Sequence, residues 1–159
     1  YSIISQIESL ATIADSYGLE LNHIKAHGAL YNQMIIDTEL SNLYLDTIKE
    51  FKKKCSLYIP YKSEIEKIAL KKGFSIIYEV FGDRNYNDDL SLVSRNNENA
   101  LITDPESVVN HIKTIKETES VKTINGNYKK IKFDTICIHS DTNNSIDILK
   151  KINQEFDES

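Results

Sequence analysis

Residues 76–95 read IIYEVFGDRNYNDDLSLVSR and join an apolar strand to a long polar loop. The β-branched, apolar run at residues 75–80 is typical of a buried strand. The loop continues for about eighteen residues before a helical pattern begins near Pro105, and a connection this long inside a domain is usually functional or disordered. This stretch therefore predicts a central buried strand followed by a functional loop.

The charges of the loop favour a binding site. Both arginines of the chain, Arg84 and Arg95, lie in it, and every other cationic side chain outside the four histidines is a lysine. A guanidinium offers a planar fork of donors that holds a carboxylate or phosphate through two hydrogen bonds. The plainer alternative is that both arginines pair with aspartates of the same loop.

Composition indicates an ordinary globular protein, and we predict a single domain over residues 1–159. The net charge of -5 and the scattered lysines argue against nucleic acid and anionic membranes as partners. No apolar run approaches the roughly twenty residues of a membrane helix. Cys55 and Cys137 lack metal-ligand spacing and predict reduced thiols in the cytoplasm.

Helical and strand patterns alternate along the chain. Helices are predicted at residues 1–18, 38–54, 63–72, 105–118 and 143–156. Strands are predicted at residues 21–27, 57–60, 75–80 and 135–139, with a turn at Gly28 and a hairpin around Asn125-Gly126. The alternation predicts an α/β fold with parallel strands, either a small doubly wound domain or part of a β/α barrel.

Titratable side chains stand near the carboxyl ends of three predicted strands. Alternation puts His23, Lys25 and His27 on one face of the first strand, while Glu79 and His139 lie near the ends of two others. In such folds ligands bind at the carboxyl ends of the strands. A structural role is the plainer explanation for any one histidine, but the three strand ends together predict a shared polar pocket, since buried charges need partners.

Residues 139–142, His-Ser-Asp-Thr, connect the last strand to the last helix. Asp141 or Thr142 is expected to cap this helix through its side-chain oxygen. The free N–H groups of the first helical turn would then face the pocket, where they can hold an anion.

Three blocks of the sequence resemble the LamB/YcsF family, which comprises the A subunit of 5-oxoprolinase. They are KAHGALYN at residues 25–32, EVFGDRNYNDD at residues 79–89 with LVSR at residues 92–95, and DTICIHSDT at residues 134–142. The blocks occur in the family's order, and the resemblance spans essentially the whole chain. It implies a partial, irregular β/α barrel of parallel strands, TIM-like and related to glycoside hydrolase and deacetylase barrels.

The resemblance also implies an activity in lactam metabolism. Family members take part in the ATP-dependent hydrolytic opening of 5-oxo-L-proline, a cyclic amide, to L-glutamate, together with subunits B and C. ATP is expected on this ground alone, since the chain contains neither GxxxxGK[ST] nor GxGxxG. Family members carry further N-terminal residues, so the chain is expected to be the C-terminal portion of the barrel.

The family blocks supply the candidate site residues. The catalytic candidates are His27, Glu79, Asp83, His139 and Asp141. The substrate-binding candidates are Lys25, Asn32, Arg84, Tyr86, Asp88, Arg95 and Thr142. We expect His27, His139 or Asp141 to be the general base for an attacking water, and Glu79 or Asp83 to orient the imidazole. Arg84 or Arg95 would bind the substrate carboxylate. Lys25 and the first helical turn after Thr142 would stabilise the negative charge of an oxyanion or a phosphate.

Two other functions fit the same residues. His27, Glu79, His139 and Asp141 are suitable ligands for Zn²⁺ or another divalent ion, which would make the protein a metal-dependent hydrolase of the deacetylase type. Alternatively, a truncated barrel exposes unpaired edge strands, which favour pairing with another chain. The protein would then be a partner-binding fragment without catalytic activity.

The chain departs from the family pattern within these blocks. Leu90 and Ser140 stand where the family has glycine, and Ala26 and Ser94 stand where it has proline. A non-glycine residue held at positive φ costs about 1–2 kcal/mol. We therefore expect relaxed or altered loops at Leu90 and Ser140.

Overall fold

The computed structural model describes residues 2–156, so Tyr1 of the first predicted helix lies outside the described residues. The chain divides into two compact units, unit 1 (Tyr1–Tyr78) and unit 2 (Glu79–Ser159). The helices are α1 (Ser2–Ser16), α2 (Gly28–Gln33), α3 (Thr38–Thr47), α4 (Glu64–Lys72), α5 (Pro105–Thr118) and α6 (Ser145–Phe156). The strands are β1 (His23–Ile24), β2 (Ser56–Ile59), β3 (Ile76–Phe81), β4 (Ser120–Lys122), β5 (Tyr128–Lys130) and β6 (Thr135–Cys137). None of the helices within residues 2–156 has the length and apolar character needed to cross a bilayer.

Unit 1 is built on parallel strands, as predicted. β1 pairs with β2, and β2 pairs with the first half of β3, both in parallel. Ile24, Leu57 and Ile59 are buried on one face of these strands because the side chains of a strand alternate between faces. They pack in one core with Met34, which follows α2, and with Leu45 of α3.

Some boundaries in unit 1 follow the sequence signals and others do not. α4 is confirmed: the Ser63 hydroxyl accepts the Glu66 N–H at its start, and Gly73 ends it at a φ of 72°. Gly28 begins α2 instead of a turn. β1 is shorter than the predicted strand at 21–27, because its ladder with β2 covers only His23 and Ile24.

The predicted helix at residues 38–54 is also shorter than expected. α3 ends at Thr47, because Ile48 leaves the helical conformation with φ -99° and ψ 12°. A 3₁₀ turn, Lys49–Phe51, follows; Ile48 is buried and Phe51 is partly buried, although the α-helix has ended.

Unit 2 places the second half of β3 in parallel beside β6. The pairs are Glu79 with Thr135, Val80 with Ile136 and Phe81 with Cys137. Buried side chains of α5 and α6 form an apolar core with partly buried residues of β6 and of the segment after it. This register brings the loops that follow β3 and β6 to the same end of the strand pair, as expected for parallel strands.

Two local signals in unit 2 are confirmed. Asp104 caps α5 by accepting the Ser107 N–H at 2.8 Å, and Pro105 lies in the first turn. β4 and β5 form the antiparallel hairpin, with Gly126 at a φ of 83° in its turn.

The loop at residues 82–104 is folded against unit 2. Arg84 forms an isolated bridge with Leu101, and Tyr86 forms bridges with Leu92 and Thr123. Leu90 adopts a φ of 68°, the left-handed conformation that glycine favours, so the loop keeps this turn despite the side chain. Ser140 is not among the described residues with positive φ, so no glycine-like turn occurs there.

Candidate functional site

A buried carboxylate, Asp83, is the centre of the candidate site in unit 2. Oδ2 accepts the backbone N–H of His139 at 2.9 Å and the hydroxyl of Thr142 at 2.5 Å. The imidazole Nδ1 of His139 lies 3.0 Å from Oδ1. Asp83 comes two residues after β3 and His139 two residues after β6. The parallel register of these strands therefore brings together three residues that the sequence had proposed for the site.

The surroundings of Asp83 favour its ionised form. Burial raises the pKa of this carboxyl. The hydrogen bonds from His139 and Thr142 together lower it by more than burial raises it, so the pKa lies below its ordinary value. A carboxylate can only accept at Nδ1, so His139 carries its proton there when neutral. Its Nε2 is then the basic nitrogen, and the side chain is 25% exposed. This arrangement can remove a proton from a bound water.

The imidazole of His139 also has an aromatic neighbour. The ring of Phe81 stacks on it with centroids 5.0 Å apart and an angle of 12° between the planes. The backbone N–H of Phe81 donates to the hydroxyl of Tyr86 at 2.8 Å. Tyr86 is buried, and burial raises the pKa of its phenol well above the ordinary value. Tyr86 thus stays neutral and fixes the end of β3 beneath the imidazole.

His111 is a neighbour of the site that the sequence patterns did not single out. It is buried in α5, and its ring lies 6.2 Å from that of Tyr86. Burial lowers its pKa, while a hydrogen bond with the Phe81 backbone opposes this shift. The helical period contained the signal, because Val108 and Ile115 of the buried face lie three residues before it and four after it.

The two arginines have different roles. Arg84 is buried, and it donates to the backbone carbonyls of Val93 at 2.7 Å and Ala100 at 3.3 Å. Arg95 is half exposed and forms an ion pair with Asp141, with contacts of 2.7 and 3.4 Å. Among the described residues, neither arginine forms an ion pair with an aspartate of the loop, so that alternative is wrong.

Asp141 and Thr142 do not cap the last helix through their side chains, contrary to expectation. The Asp141 carboxylate is held by Arg95, which lowers its pKa, and the Thr142 hydroxyl donates to Asp83. α6 begins at Ser145, whose N–H is accepted by the backbone carbonyl of Thr142 at 3.1 Å. The register of the connection therefore turns both side chains toward the loops after β3.

Asp88 connects its loop to the β4–β5 hairpin through hydrogen bonds. Its carboxylate accepts hydrogen bonds from Thr123 at 2.6 Å, from Asn125 at 3.0 Å and from Asn127 at 3.1 Å. These donors lower the pKa of Asp88 to about 2. A role of Asp88 in binding substrate stays a prediction, and so does the catalytic role of Glu79, which is buried in β3.

Two of the candidates in unit 1 line a cavity of about 460 Å³ beside β1. Lys25 and His27 line it together with His23 and apolar side chains of α1. The Lys25 ammonium lies 5.9 Å from the centroid of the Tyr31 ring. Asn32 is exposed in α2. The prediction that Lys25, His27 and Asn32 serve the same reaction as Asp83 and His139 stays a prediction.

Metal ligation was the alternative chemistry considered for these residues. Within residues 2–156, no three His, Cys, Asp or Glu side chains are grouped closely enough to hold a metal ion. Asp83 and His139 instead bind each other directly. The geometry on which a mechanism can rest is therefore the hydrogen-bonded pair.

Comparisons with known proteins relate the chain to one family. The sequence profile of the LamB/YcsF family matches residues 1–159. The chain is 35% identical over 156 residues to the A subunit of 5-oxoprolinase from Pyrococcus abyssi, covering 98% of this chain and 61% of that protein. It is 39% identical over 152 residues to the A subunit of 5-oxoprolinase from Campylobacter jejuni subsp. jejuni (strain 81-176), covering 95% of this chain and 59% of that protein.

A solved structure is similar as well. The crystal structure of the lactam utilization protein from Thermus thermophilus aligns with a TM-score of 0.87 at 27% identity, covering 96% of this chain and 61% of that one. This alignment confirms the predicted α/β fold. The chain spans 59–61% of the length of these proteins.

Proposed function

Because this chain belongs to the LamB/YcsF family, we propose that it acts as the A subunit of a 5-oxoprolinase in the hydrolytic opening of 5-oxo-L-proline to L-glutamate. The reaction takes place in the cytoplasm, consumes ATP and requires partner subunits B and C. The names of the relatives, which refer to 5-oxoprolinase and to lactam utilization, support this proposal. The observation that carries it is the Asp83–His139 pair, which leaves a basic nitrogen on a partly exposed imidazole.

His139 is the general base in this proposal. Its Nε2 takes a proton from a water as the water oxygen attacks the carbonyl carbon of the lactam. Asp83 stabilises the imidazolium that forms, because its ionised oxygens remain bonded to the ring and to the backbone of the same residue. When the carbon–nitrogen bond of the ring breaks, the imidazolium returns the proton to the leaving nitrogen. One water is thereby added across the amide bond.

The proposal assigns no nucleotide-binding step to this chain. ATP is a co-substrate on the ground of the family likeness, where it supplies the activation that a poorly electrophilic amide needs. The glycines of the chain, at positions 18, 28, 73, 82 and 126, are isolated and form no glycine-rich phosphate loop. The steps assigned to residues of this chain are therefore the activation of water, the transfer of its proton and the opening of the lactam.

Glutamate release from 5-oxo-L-proline tests the proposal, with this chain, subunits B and C and ATP combined. We expect release that requires all components. His139→Asn should lower the rate by roughly 10²–10⁴-fold, the usual contribution of a general base. Asn110→Ala, an exposed change in α5, is the control for handling and folding of unit 2. Failure of the complete mixture to release glutamate would contradict the function, and an unchanged rate with His139→Asn would contradict the mechanism.

A further inference from the structure

The loop after β3 leaves one guanidinium accessible. Arg84 is only 5% exposed, and its Nε and Nη2 are bonded to carbonyls of its own loop. The side chain of Arg95 is 47% exposed. A ligand from solution can therefore reach the guanidinium of Arg95, whereas the guanidinium of Arg84 stabilises the loop.

The fork of Arg95 already holds a carboxylate. Its Nη1 donates to Oδ2 of Asp141 at 2.7 Å, and its Nη2 approaches Oδ1 at 3.4 Å. This is the two-point geometry with which arginine recognises carboxylates in general, here with one short contact and one long. The side chain of Asp141 is itself 63% exposed, so its carboxylate is in contact with solvent. An exposed ion pair changes an equilibrium constant by only roughly two- to fivefold, so exchange for another carboxylate is easy.

The ion pair and the general base belong to the same two loops. Asp141 follows His139 by two residues, and its neighbour Thr142 donates to Asp83 at 2.5 Å, in the loop that also carries Arg95. In 5-oxoproline the carboxylate is attached to the ring carbon next to the nitrogen of the amide. A carboxylate held by Arg95 would therefore keep the lactam close to His139.

We propose that Arg95 selects lactams that carry a carboxylate, and that Asp141 is a resident counter-ion which the substrate carboxylate displaces. This assignment rests on the proposed function and adds to it the group that distinguishes 5-oxoproline from an uncharged lactam. Arg95 is a specificity-determining residue in this scheme. Asp141 shields its charge until the substrate arrives.

Two ligands separate the carboxylate from the ring: 5-oxo-L-proline and 2-pyrrolidinone, the same lactam without the carboxylate. Their dissociation constants are to be measured by calorimetry for the chain and three variants. We expect Arg95→Gln to weaken 5-oxo-L-proline binding roughly tenfold or more and to leave 2-pyrrolidinone unchanged. Asp141→Asn should strengthen 5-oxo-L-proline binding roughly two- to fivefold. Lys113→Gln removes a comparable ion pair with Glu155 in unit 2 and should change neither constant.

The outcomes distinguish the assignment from the function. If Arg95→Gln keeps the preference for 5-oxo-L-proline, with a melting temperature like that of the original chain, the assignment to Arg95 is wrong. Weaker binding in Asp141→Asn would show that Asp141 orients Arg95 and does not compete with the substrate, which overturns the counter-ion role. If the original chain binds neither lactam, this inference fails, while the proposed function is decided separately by glutamate release from the complete mixture.

Discussion

One carboxylate oxygen of Asp83 accepts the backbone N–H of His139 at 2.9 Å, while the other lies 3.0 Å from Nδ1 of the same residue. The two contacts fix both the position of the backbone after β6 and the orientation of the ring. Because β3 and β6 are parallel neighbours, this single side chain also joins the loops that follow them. A substitution of Asp83 is therefore expected to affect both the stability of unit 2 and the proposed role of His139.

Replacement of Asp83 by asparagine should cost about 2–4 kcal/mol of unfolding free energy, because the variant loses a buried, charged hydrogen-bonding group. Urea denaturation at neutral pH measures this loss. Asp104→Asn, which alters an exposed cap while keeping an acceptor, is the matched control and should cost less than about 0.5 kcal/mol. Equal losses in the two variants would contradict the role of Asp83.

The pH dependence of stability provides a separate prediction for Asp83. Its folded pKa lies below the ordinary value of 3.8. The stabilisation is therefore complete above that ordinary value and is lost as the pH falls through the folded pKa. We expect the unfolding free energy of the chain to decrease below about pH 4 more steeply than that of Asp83→Asn. Parallel curves for the two proteins between about pH 2 and 4 would contradict this account.

Leu90 carries a conformational cost that glycine would avoid. Its φ of 68° is unfavourable for a side chain by about 1–2 kcal/mol, and the extra freedom of glycine in the unfolded state offsets part of this. We expect Leu90→Gly to raise the unfolding free energy by about 0.5–1 kcal/mol. Leu92→Gly, in the bridge with Tyr86, should lower it. Thermal unfolding of both variants distinguishes them, and destabilisation by Leu90→Gly would count against the observed turn.

Tyr86 supports the imidazole of His139 through Phe81. Tyr86→Phe removes the acceptor of the buried Phe81 N–H and should cost about 1–3 kcal/mol of stability. It should also change the NMR chemical shifts of the His139 ring, since the stacked ring of Phe81 is free to move. Tyr128→Phe, at an exposed tyrosine of the hairpin, is the control for loss of a hydroxyl. Unchanged His139 ring shifts in a destabilised Tyr86→Phe protein would limit Tyr86 to a purely structural role.

Local sequence signals predicted the elements where several of them agreed. Ser63 and Gly73 bracket α4, Asp104-Pro105 starts α5, and Asn125-Gly126 forms the hairpin. The end of α3 was not predictable from its pattern, because the apolar period continues into the 3₁₀ turn while Ile48 leaves the helix.

The contacts of the site depend on strand register, which the sequence does not contain. The family blocks pointed to Asp83 and His139 separately, but only the pairing of Phe81 with Cys137 brings the residues after them together. The same holds for Asp88, whose donors come from a hairpin that is distant in sequence. His111 differs, because its place on the buried face of α5 was available from the helical period.

The ¹⁵N NMR spectrum of His139 tests the central claim most directly. In the neutral imidazole, Asp83 should hold the proton on Nδ1 and leave Nε2 unprotonated, and Asp83→Asn should remove this preference. A spectrum of the original chain in which Nε2 carries the proton would contradict the assignment of His139 as the base.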